Sequence, residues 1–474
     1  MTKTLLLMAP EAVCLLAVLG FLGLCLAPGV SRRTFYTTAL LFSGFGILAA
    51  LAAVHAEASL FVDVYRLDLF AQVFKVLLAM GLFLVVCLCA DPAGIDPRRH
   101  GEFYLLLFSC NLGMMLLVSS VHLLTVYVAL ELSSYSLYLL TALRRERAAG
   151  VEAGLKYFLV GILSSAVMLF GIALLYGSLQ ALYLERLAVL LPEALGRPLV
   201  AVGLLLTMGG FFFKLAVFPF HFWAPDVYQG AAHQVAAYIA TASKVAAIAI
   251  LLRIVALTAG AGDDLARVLV GLSLVSMTVG NLAAIAQTDF KRLLAYSSIA
   301  HAGYVLIGLL SMNADGYAAA MYYALAVVLL KFTCFLVLVQ VARDGADLKI
   351  DGLAGLHRRS PLLALALMLA LFGLAGLPPT VGFTGKLLVF TAAMERGHFV
   401  LVLIAMLNVT VSLYYYLQVL RAAYLVEPEA SPAPLRLSVP FKVLTALLIV
   451  AITVVGFYPA PVVELARSMA AYLV

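Results

Sequence analysis

Charged residues are scarce in this sequence. Asp, Glu, Lys and Arg make up 11% of its 474 residues, hydrophobic residues make up 65%, and the mean hydropathy is +1.10. Soluble domains contain about a quarter charged residues and roughly half apolar ones. The low charge therefore excludes a soluble protein and indicates an integral membrane protein.

The sequence also lacks the patterns of bound cofactors, metals and nucleotides. Its six cysteines lie inside apolar runs, and no two of them have the C-x-x-C spacing of a metal or cluster site. No G-x-G-x-x-G follows a strand, and no Walker-type glycine-rich loop is present. The net charge of +6 is spread over short loops, so nucleic acid is not an expected partner. Redox chemistry and nucleotide hydrolysis are expected on other chains.

The apolar runs are continuous over roughly twenty residues, the length of a membrane-spanning helix, and do not alternate like the strands of a barrel. We count about fourteen such runs, which predicts an all-α integral membrane protein with about 14 transmembrane helices. Most lysines and arginines outside the runs fall in odd-numbered loops, among them Arg32, Arg33, Arg144, Arg145 and Arg147. By the positive-inside rule, we expect a multi-pass protein of the bacterial inner membrane with both termini periplasmic.

An internal repeat is indicated by the spacing of the runs. Runs four to eight and runs nine to thirteen start about 163 residues apart. Because five helices is an odd number, the second copy would enter the membrane from the opposite side, as in many transporters. The predicted segments are an N-terminal three-helix segment at 1–100, the first five-helix repeat at 101–257, the inverted repeat at 258–425 and a C-terminal helix at 426–474. Regular helix lengths joined by short loops would also give such spacing.

Runs seven and twelve are each too long for one span, and each contains prolines near its middle. Pro219 and Pro225 interrupt run seven, and "GLPPTVGF" (Gly376 to Phe383) interrupts run twelve. Proline removes a helix hydrogen bond, and the freed carbonyl needs protein or water as a partner at membrane depth. Paired broken helices in matching halves point to a transport path. We therefore predict that helices 7 and 12 are broken and line such a path.

Charged residues inside the runs require a functional or structural explanation, because inserting each charged side chain at the bilayer centre costs about 2.5–3.5 kcal/mol. Buried amines suit proton relay, since burial disfavours their charged form and neighbouring charges can then change their protonation state. The candidate residues for proton translocation are Glu131, Lys156, Lys214, Lys244, His301, Lys331 and Lys386. Glu131 is placed near a span centre, and we expect it to modulate Lys156. Lys214 lies five residues before Pro219, so we expect the freed carbonyls of the break and water to solvate its ammonium.

Each candidate also has a structural interpretation. Glu131 and Lys156 could form an ion pair that fixes helix packing, and Lys331 and His301 could simply bond carbonyl groups. We interpret Lys75, Arg253 and Arg421 as helix-end or packing residues.

Several stretches resemble a known family over essentially the whole chain. They are "EAGLKYFLVGILSSA" (Glu152 to Ala166), "FKLAVFPFHFWAPDVYQGA" (Phe213 to Ala231), "TASKVA" (Thr241 to Ala246), "QTDFKRLLAYSSIAHAGY" (Gln287 to Tyr304) and "GLPPTVGFTGK" (Gly376 to Lys386). They are similar to the antiporter-like subunit N family of bacterial NADH-quinone oxidoreductase, respiratory complex I. Lysine at 386 and an end soon after run fourteen fit subunit N better than its sister subunits M and L.

The resemblance implies a membrane-arm subunit that translocates protons while quinone reduction elsewhere in the complex supplies the energy. It implies no cofactor on this chain, with NADH, FMN, iron–sulfur clusters and quinone on partner subunits. The implied partners are sister antiporter-like subunits, small membrane subunits and the lipid bilayer. Carried over by position, the family's functional residues fall on Glu131, Lys156, Lys214, Lys244 and Lys386. Two other functions stay open: a subunit of a multi-subunit sodium/proton antiporter, and a non-transporting membrane scaffold.

Overall fold

The computed structural model describes residues 7–90, 94–144, 148–260, 264–427 and 434–473. Thirteen helical segments of this described part are long and apolar enough to cross a membrane, and Pro361–Ala375 is a shorter apolar helix. The prediction of an all-α membrane protein is confirmed. Arg145 and Arg147, which contributed to the predicted orientation, lie outside the described residues, and the orientation stays a prediction.

The helices of the first half are joined mostly by short connections. In chain order they are α1 (Ala9–Leu26), α2 (Arg32–Ala52), α3 (Leu69–Leu88), α4 (His100–Ser119), α5 (Leu123–Ala142), α6 (Ala148–Leu179), α7 (Leu184–Ala194), α8 (Pro198–Leu215), α9 (Trp223–Gly230), α10 (His233–Ala240) and α11 (Ala242–Ala256). A short 3-10 helix, Pro97–Arg99, precedes α4.

The second half is likewise helical. Its helices are α12 (Asp264–Ile285), α13 (Phe290–Leu310), α14 (Ala314–Val341), α15 (Leu356–Arg359), α16 (Pro361–Ala375), α17 (Val381–Glu395), α18 (Phe399–Leu425), α19 (Val439–Phe457) and α20 (Ala460–Ala470). A second 3-10 helix spans Ile350–Leu353.

A β-hairpin joins α2 to α3. Strand β1 (Ala58–Leu60) pairs antiparallel with β2 (Tyr65–Leu67), so that Leu60 lies opposite Tyr65. Because α1, α2 and α3 alternate in direction, the hairpin lies at the membrane face where α1 and α3 begin. We call this face the hairpin end. The Asp68 side chain caps α3 there by accepting a hydrogen bond from the Ala71 backbone N–H at 2.7 Å, which satisfies one of the unpaired donors of the first turn.

Both predicted helix breaks are present. Helix α8 ends at Leu215 and α9 begins at Trp223, while α16 ends at Ala375 and α17 begins at Val381. A further break, which the sequence analysis did not predict, separates α10 from α11 at Thr241. Three interruptions therefore break the regular helical hydrogen-bond pattern inside membrane-spanning segments.

By its contacts the chain divides into two compact units. Unit 1 contains residues 1–215, 230–265 and 469–474, and unit 2 contains residues 216–229 and 266–468. In unit 1 the α10–α11 segment is completely buried. In unit 2 the most buried long helices are α13 and α14. These units group residues by contact rather than by internal similarity, so the predicted repeat boundaries stay a prediction.

Candidate functional site

The first helix break leaves a carbonyl group without its helical partner. In an α-helix the carbonyl of residue i accepts from the N–H of residue i+4. For Leu215 that residue is Pro219, which has no N–H. The Lys244 ammonium replaces the missing N–H donor and donates to the Leu215 carbonyl oxygen at 2.8 Å. Pro219, which follows the end of α8, therefore creates the acceptor for a buried lysine of α11.

The second break repeats this arrangement with two prolines. The carbonyls of Leu374 and Ala375 would accept from residues 378 and 379, which are both proline. Lys386 Nζ donates to these same two oxygens, at 2.8 Å to Leu374 and 3.0 Å to Ala375. Each orphaned acceptor thus receives an ammonium proton.

Gly376 makes room for the Lys386 side chain. Its φ is +87°, a left-handed conformation that favours glycine, and a Cβ there would lie 2.8 Å from Lys386 Cδ. On its other side the Lys386 ammonium lies 4.9 Å from the centre of the Tyr304 ring. This cation–π contact stabilises the charged form of the amine.

Lys214 and Glu131 lie together in unit 1. Lys214 Nζ donates to the Ser133 hydroxyl at 3.0 Å, and the Ser165 hydroxyl donates to the Glu131 carboxylate. Lys214 and Glu131 also interact electrostatically. From the sequence, the freed carbonyls of the break are expected to solvate Lys214. In the structure the Lys244 ammonium donates a hydrogen bond to the freed Leu215 carbonyl, whereas the Lys214 ammonium donates to the Ser133 hydroxyl.

Lys156 lies on a more open face of α6. Its ammonium is 2.7 Å from the Glu152 carboxylate, one helical turn away, and its side chain is 45% exposed. From the sequence, Glu131 is expected to modulate Lys156. The structure adds Glu152 as the ion-pair partner of Lys156 and Lys214 as a charge acting on Glu131.

His301 and Lys331 belong to a polar cluster inside unit 2. His301 Nδ1 lies 2.5 Å from the Tyr323 hydroxyl, and its Nε2 lies 3.3 Å from the Tyr416 hydroxyl. Lys331 Nζ donates to the Ser297 hydroxyl at 2.7 Å and to the carbonyl of Leu294 at 2.8 Å. The Ser297 and Tyr416 hydroxyls are themselves hydrogen-bonded, so the histidine and the lysine share one network.

The buried amines share one chemical feature. Lys214, Lys244, Lys331 and Lys386 are at most 6% exposed, and each donates to hydroxyl or carbonyl oxygens. A neutral acceptor stabilises an ammonium less than a carboxylate does, and it is not left as an unpaired charge when the amine loses its proton. This arrangement suits an amine that gains and loses a proton.

Two buried ion pairs escaped the sequence analysis. Arg253, in the last turn of α11 as predicted for a helix-end residue, donates to both oxygens of Asp68 at 2.8 and 2.7 Å. Lys75 is fully buried, with its Nζ 2.6 Å from Glu11 Oε1. Glu11 was overlooked because a carboxylate in the first turn of a helix is an ordinary helix-start feature. No sequence signal links it to a lysine on another helix.

Among the described ranges, no group of three or more His, Cys, Asp or Glu side chains could hold a metal ion.

Comparison with known proteins identifies the same family by a family model and by individual relatives. A family model described as "NADH:quinone oxidoreductase/Mrp antiporter, TM" matches residues 120–412. The chain is 60% identical to NADH-quinone oxidoreductase subunit N 2 of Syntrophobacter fumaroxidans, with 98% of each chain covered. It is 35% identical to NADH-quinone oxidoreductase subunit N of Nitrosomonas europaea, with 97% of this chain and 96% of the relative covered.

Two solved structures are similar to this chain over nearly its whole length. A chain of respiratory complex I from Thermus thermophilus matches with a TM-score of 0.83 and 36% identity, over 97% of this chain and 99% of that one. A chain of the Mrp complex from Dietzia sp. matches with a TM-score of 0.86, over 98% of this chain and 97% of that one. Its 22% identity makes it a likeness of fold alone.

Proposed function

Because the chain belongs to the antiporter-like subunit N family of NADH-quinone oxidoreductase, we propose that it translocates protons across the inner membrane while quinone is reduced elsewhere in the complex. The protons move through the buried amines and Glu131, and the redox groups reside on partner subunits. The expected partners are the other membrane-arm subunits, including sister antiporter-like chains.

The observation that carries this proposal is the match between prolines and lysines at the two breaks. Pro219 frees the carbonyl that Lys244 binds, and Pro378 with Pro379 frees the carbonyls that Lys386 binds. A scaffold needs neither broken helices nor buried amines at membrane depth, where both are costly. The presence of this match at both breaks supports a transport role.

Transport of protons as part of NADH-quinone oxidoreductase is favoured over a sodium/proton antiporter by the relatives. The family model covers both classes, but the relatives at 60% and 35% identity both carry the name of NADH-quinone oxidoreductase subunit N. Co-purification with flavin and iron–sulfur subunits would separate the two functions.

The test uses Lys214→Ala and Lys244→Ala in the intact complex. Complex content is measured by blue-native gel, and proton pumping during NADH oxidation is measured in reconstituted vesicles. We expect both variants to pump less than the wild type per assembled complex, and Lys244→Ala also to lower complex content, because the Leu215 carbonyl loses its donor. Arg358→Ala is the matched control, since it removes an exposed charge whose pair with Glu427 is open to solvent. Wild-type pumping in both lysine variants would contradict the proposal.

A further inference from the structure

The buried pair of Glu11 and Lys75 lies outside the set of residues given a role above. Glu11 is in the first turn of α1, and Lys75 is two turns into α3, so both lie near the hairpin end. They are 3% and 0% exposed, and their charged atoms are 2.6 Å apart. A charge pair this deep is costly to bury, and a well-packed apolar pair would often serve stability equally well.

Tyr65 of β2 contacts both members of the pair. Its hydroxyl donates to Glu11 Oε1 at 2.6 Å, and its ring centre lies 5.2 Å from the Lys75 ammonium. Burial and the adjacent Glu11 carboxylate raise the pKa of the Tyr65 hydroxyl well above its usual range, so it remains a donor. Because Tyr65 belongs to the hairpin, its contacts join the pair to the hairpin.

The pair has more hydrogen-bonding capacity than its protein neighbours use. Within the described part of the chain, Glu11 Oε2 and both polar atoms of the Gln72 amide are buried without a protein hydrogen-bond partner. Gln72 is one helical turn before Lys75 on α3, so the two side chains lie on neighbouring positions of one face. Buried polar groups in proteins are nearly always hydrogen-bonded to protein or to water. We therefore expect water molecules to hydrogen-bond to Glu11 and Gln72 beside the pair.

A small cavity of unit 1 lies about one helical turn beyond the pair. It has about 10 Å³ of space for water centres, at the lower limit for one water molecule, and lies between α1, α2, α3 and α4. Cys14, one turn beyond Glu11, and Asn111 of α4 line it, together with Ala79, one turn beyond Lys75. The Asn111 amide nitrogen is 4.0 Å from the Cys14 sulfur.

From Asn111 the polar contacts lead back to Lys214. The Tyr238 hydroxyl donates to Asn111 Oδ1 at 3.0 Å and also interacts with the Cys110 thiol. Cys110 donates to the Ser133 carbonyl at 3.3 Å, and the hydroxyl of the same serine accepts from Lys214. These polar groups of unit 1 therefore extend from Lys214 to Cys14, one helical turn from Glu11.

We propose that Glu11 and Lys75 form a second proton-exchange site, which connects Lys214 to the aqueous phase at the hairpin end through Tyr238 and Asn111. In the exchange, an N–H bond of Lys75 breaks and an O–H bond forms at Glu11 Oε1, which leaves a neutral amine and a carboxylic acid. The acid releases its proton at the hairpin end, and a proton from the Lys214 side restores the ammonium. This inference rests on the proposed function, since it supplies a route for the same protons.

Lys75→Arg separates proton exchange from a structural ion pair. Arginine keeps the positive charge and the pairing with Glu11, but it does not give up a proton in proteins. We expect the variant complex to assemble at the wild-type level and to pump at no more than about half the wild-type rate during NADH oxidation, since one of its routes is closed. Arg253→Lys is the matched control, because it changes the neighbouring buried pair, and it should keep wild-type pumping. Wild-type pumping by Lys75→Arg overturns the proposal.

The double variant Glu11→Gln/Lys75→Met covers the case in which arginine does not fit. Removing both charges leaves no stranded ion, so a purely structural pair predicts normal assembly and normal pumping. The proposal predicts normal assembly with pumping reduced as in Lys75→Arg. If neither variant assembles, the pair is architectural and the proposal is overturned.

Lys244→Ala, measured in parallel, distinguishes this inference from the proposed function. If Lys244→Ala loses pumping while Lys75→Arg keeps it, only the second exchange site is wrong. If Lys244→Ala also pumps normally, the proposed function itself is contradicted.

Discussion

Replacing Lys386 with alanine and with arginine should separate its structural role from its proton-transfer role. Alanine leaves the carbonyls of Leu374 and Ala375 without a donor, because the two prolines at 378 and 379 have no N–H. Each buried unsatisfied carbonyl costs about 1–3 kcal/mol, so the loss of both costs about 2–6 kcal/mol. Since the stability of a whole domain is about 5–15 kcal/mol, Lys386→Ala should lower the content of assembled complex.

Lys386→Arg keeps the donors for both carbonyls and the charge beside the Tyr304 ring. Arginine stays protonated, so this variant should assemble better than Lys386→Ala but pump little. Blue-native gels of the membranes report assembly, and a pH-sensitive dye in reconstituted vesicles reports pumping. Wild-type assembly of Lys386→Ala would refute the argument from orphaned carbonyls. Wild-type pumping by Lys386→Arg would refute a role for deprotonation of this lysine.

Three further outcomes are expected. Glu131→Gln should assemble but pump less than Glu131→Asp, because Asp keeps the negative charge that acts on Lys214; equal, wild-type pumping in both would contradict an electrostatic role for Glu131. Gly376→Ala should lower complex content, since alanine is strained at a φ of +87° and its Cβ would crowd Lys386; an unchanged level on a blue-native gel would be inconsistent with this. A reporter fused to the C-terminus should be periplasmic and one inserted beside Arg144 cytoplasmic, and the reverse pattern would overturn the predicted orientation.

Much of the fold follows from local features of the sequence. Continuous apolar runs predict spanning helices, since only a helix satisfies all its backbone groups within one segment in lipid. Pro219 and the pair at 378 and 379 correctly predict the two breaks, because proline acts on its own helix. The break at Thr241 was missed because "TASKVA" contains no proline or glycine that would mark it.

The partners of the candidate residues were less predictable. The sequence identified Lys214, Lys244 and Lys386 as deep amines, and each of them is buried. It associated Lys214 with the broken backbone, whereas Lys244, thirty residues further along the chain, takes the freed carbonyl. A side chain several atoms long can reach either of two neighbouring acceptors, and the choice depends on helix packing.

What the sequence alone determined is therefore the kind of environment: a helical membrane protein with prolines that free carbonyls and amines at membrane depth. These properties depend on composition and on interactions within four residues, which the order of residues specifies directly. The tertiary structure alone decided which groups meet. The pairing of Glu11 with Lys75 joins α1 to α3, and the pairing of Lys386 with two carbonyls requires α17 to fold back on the end of α16. Such contacts depend on how helices pack and rotate against one another, which no short stretch of sequence contains.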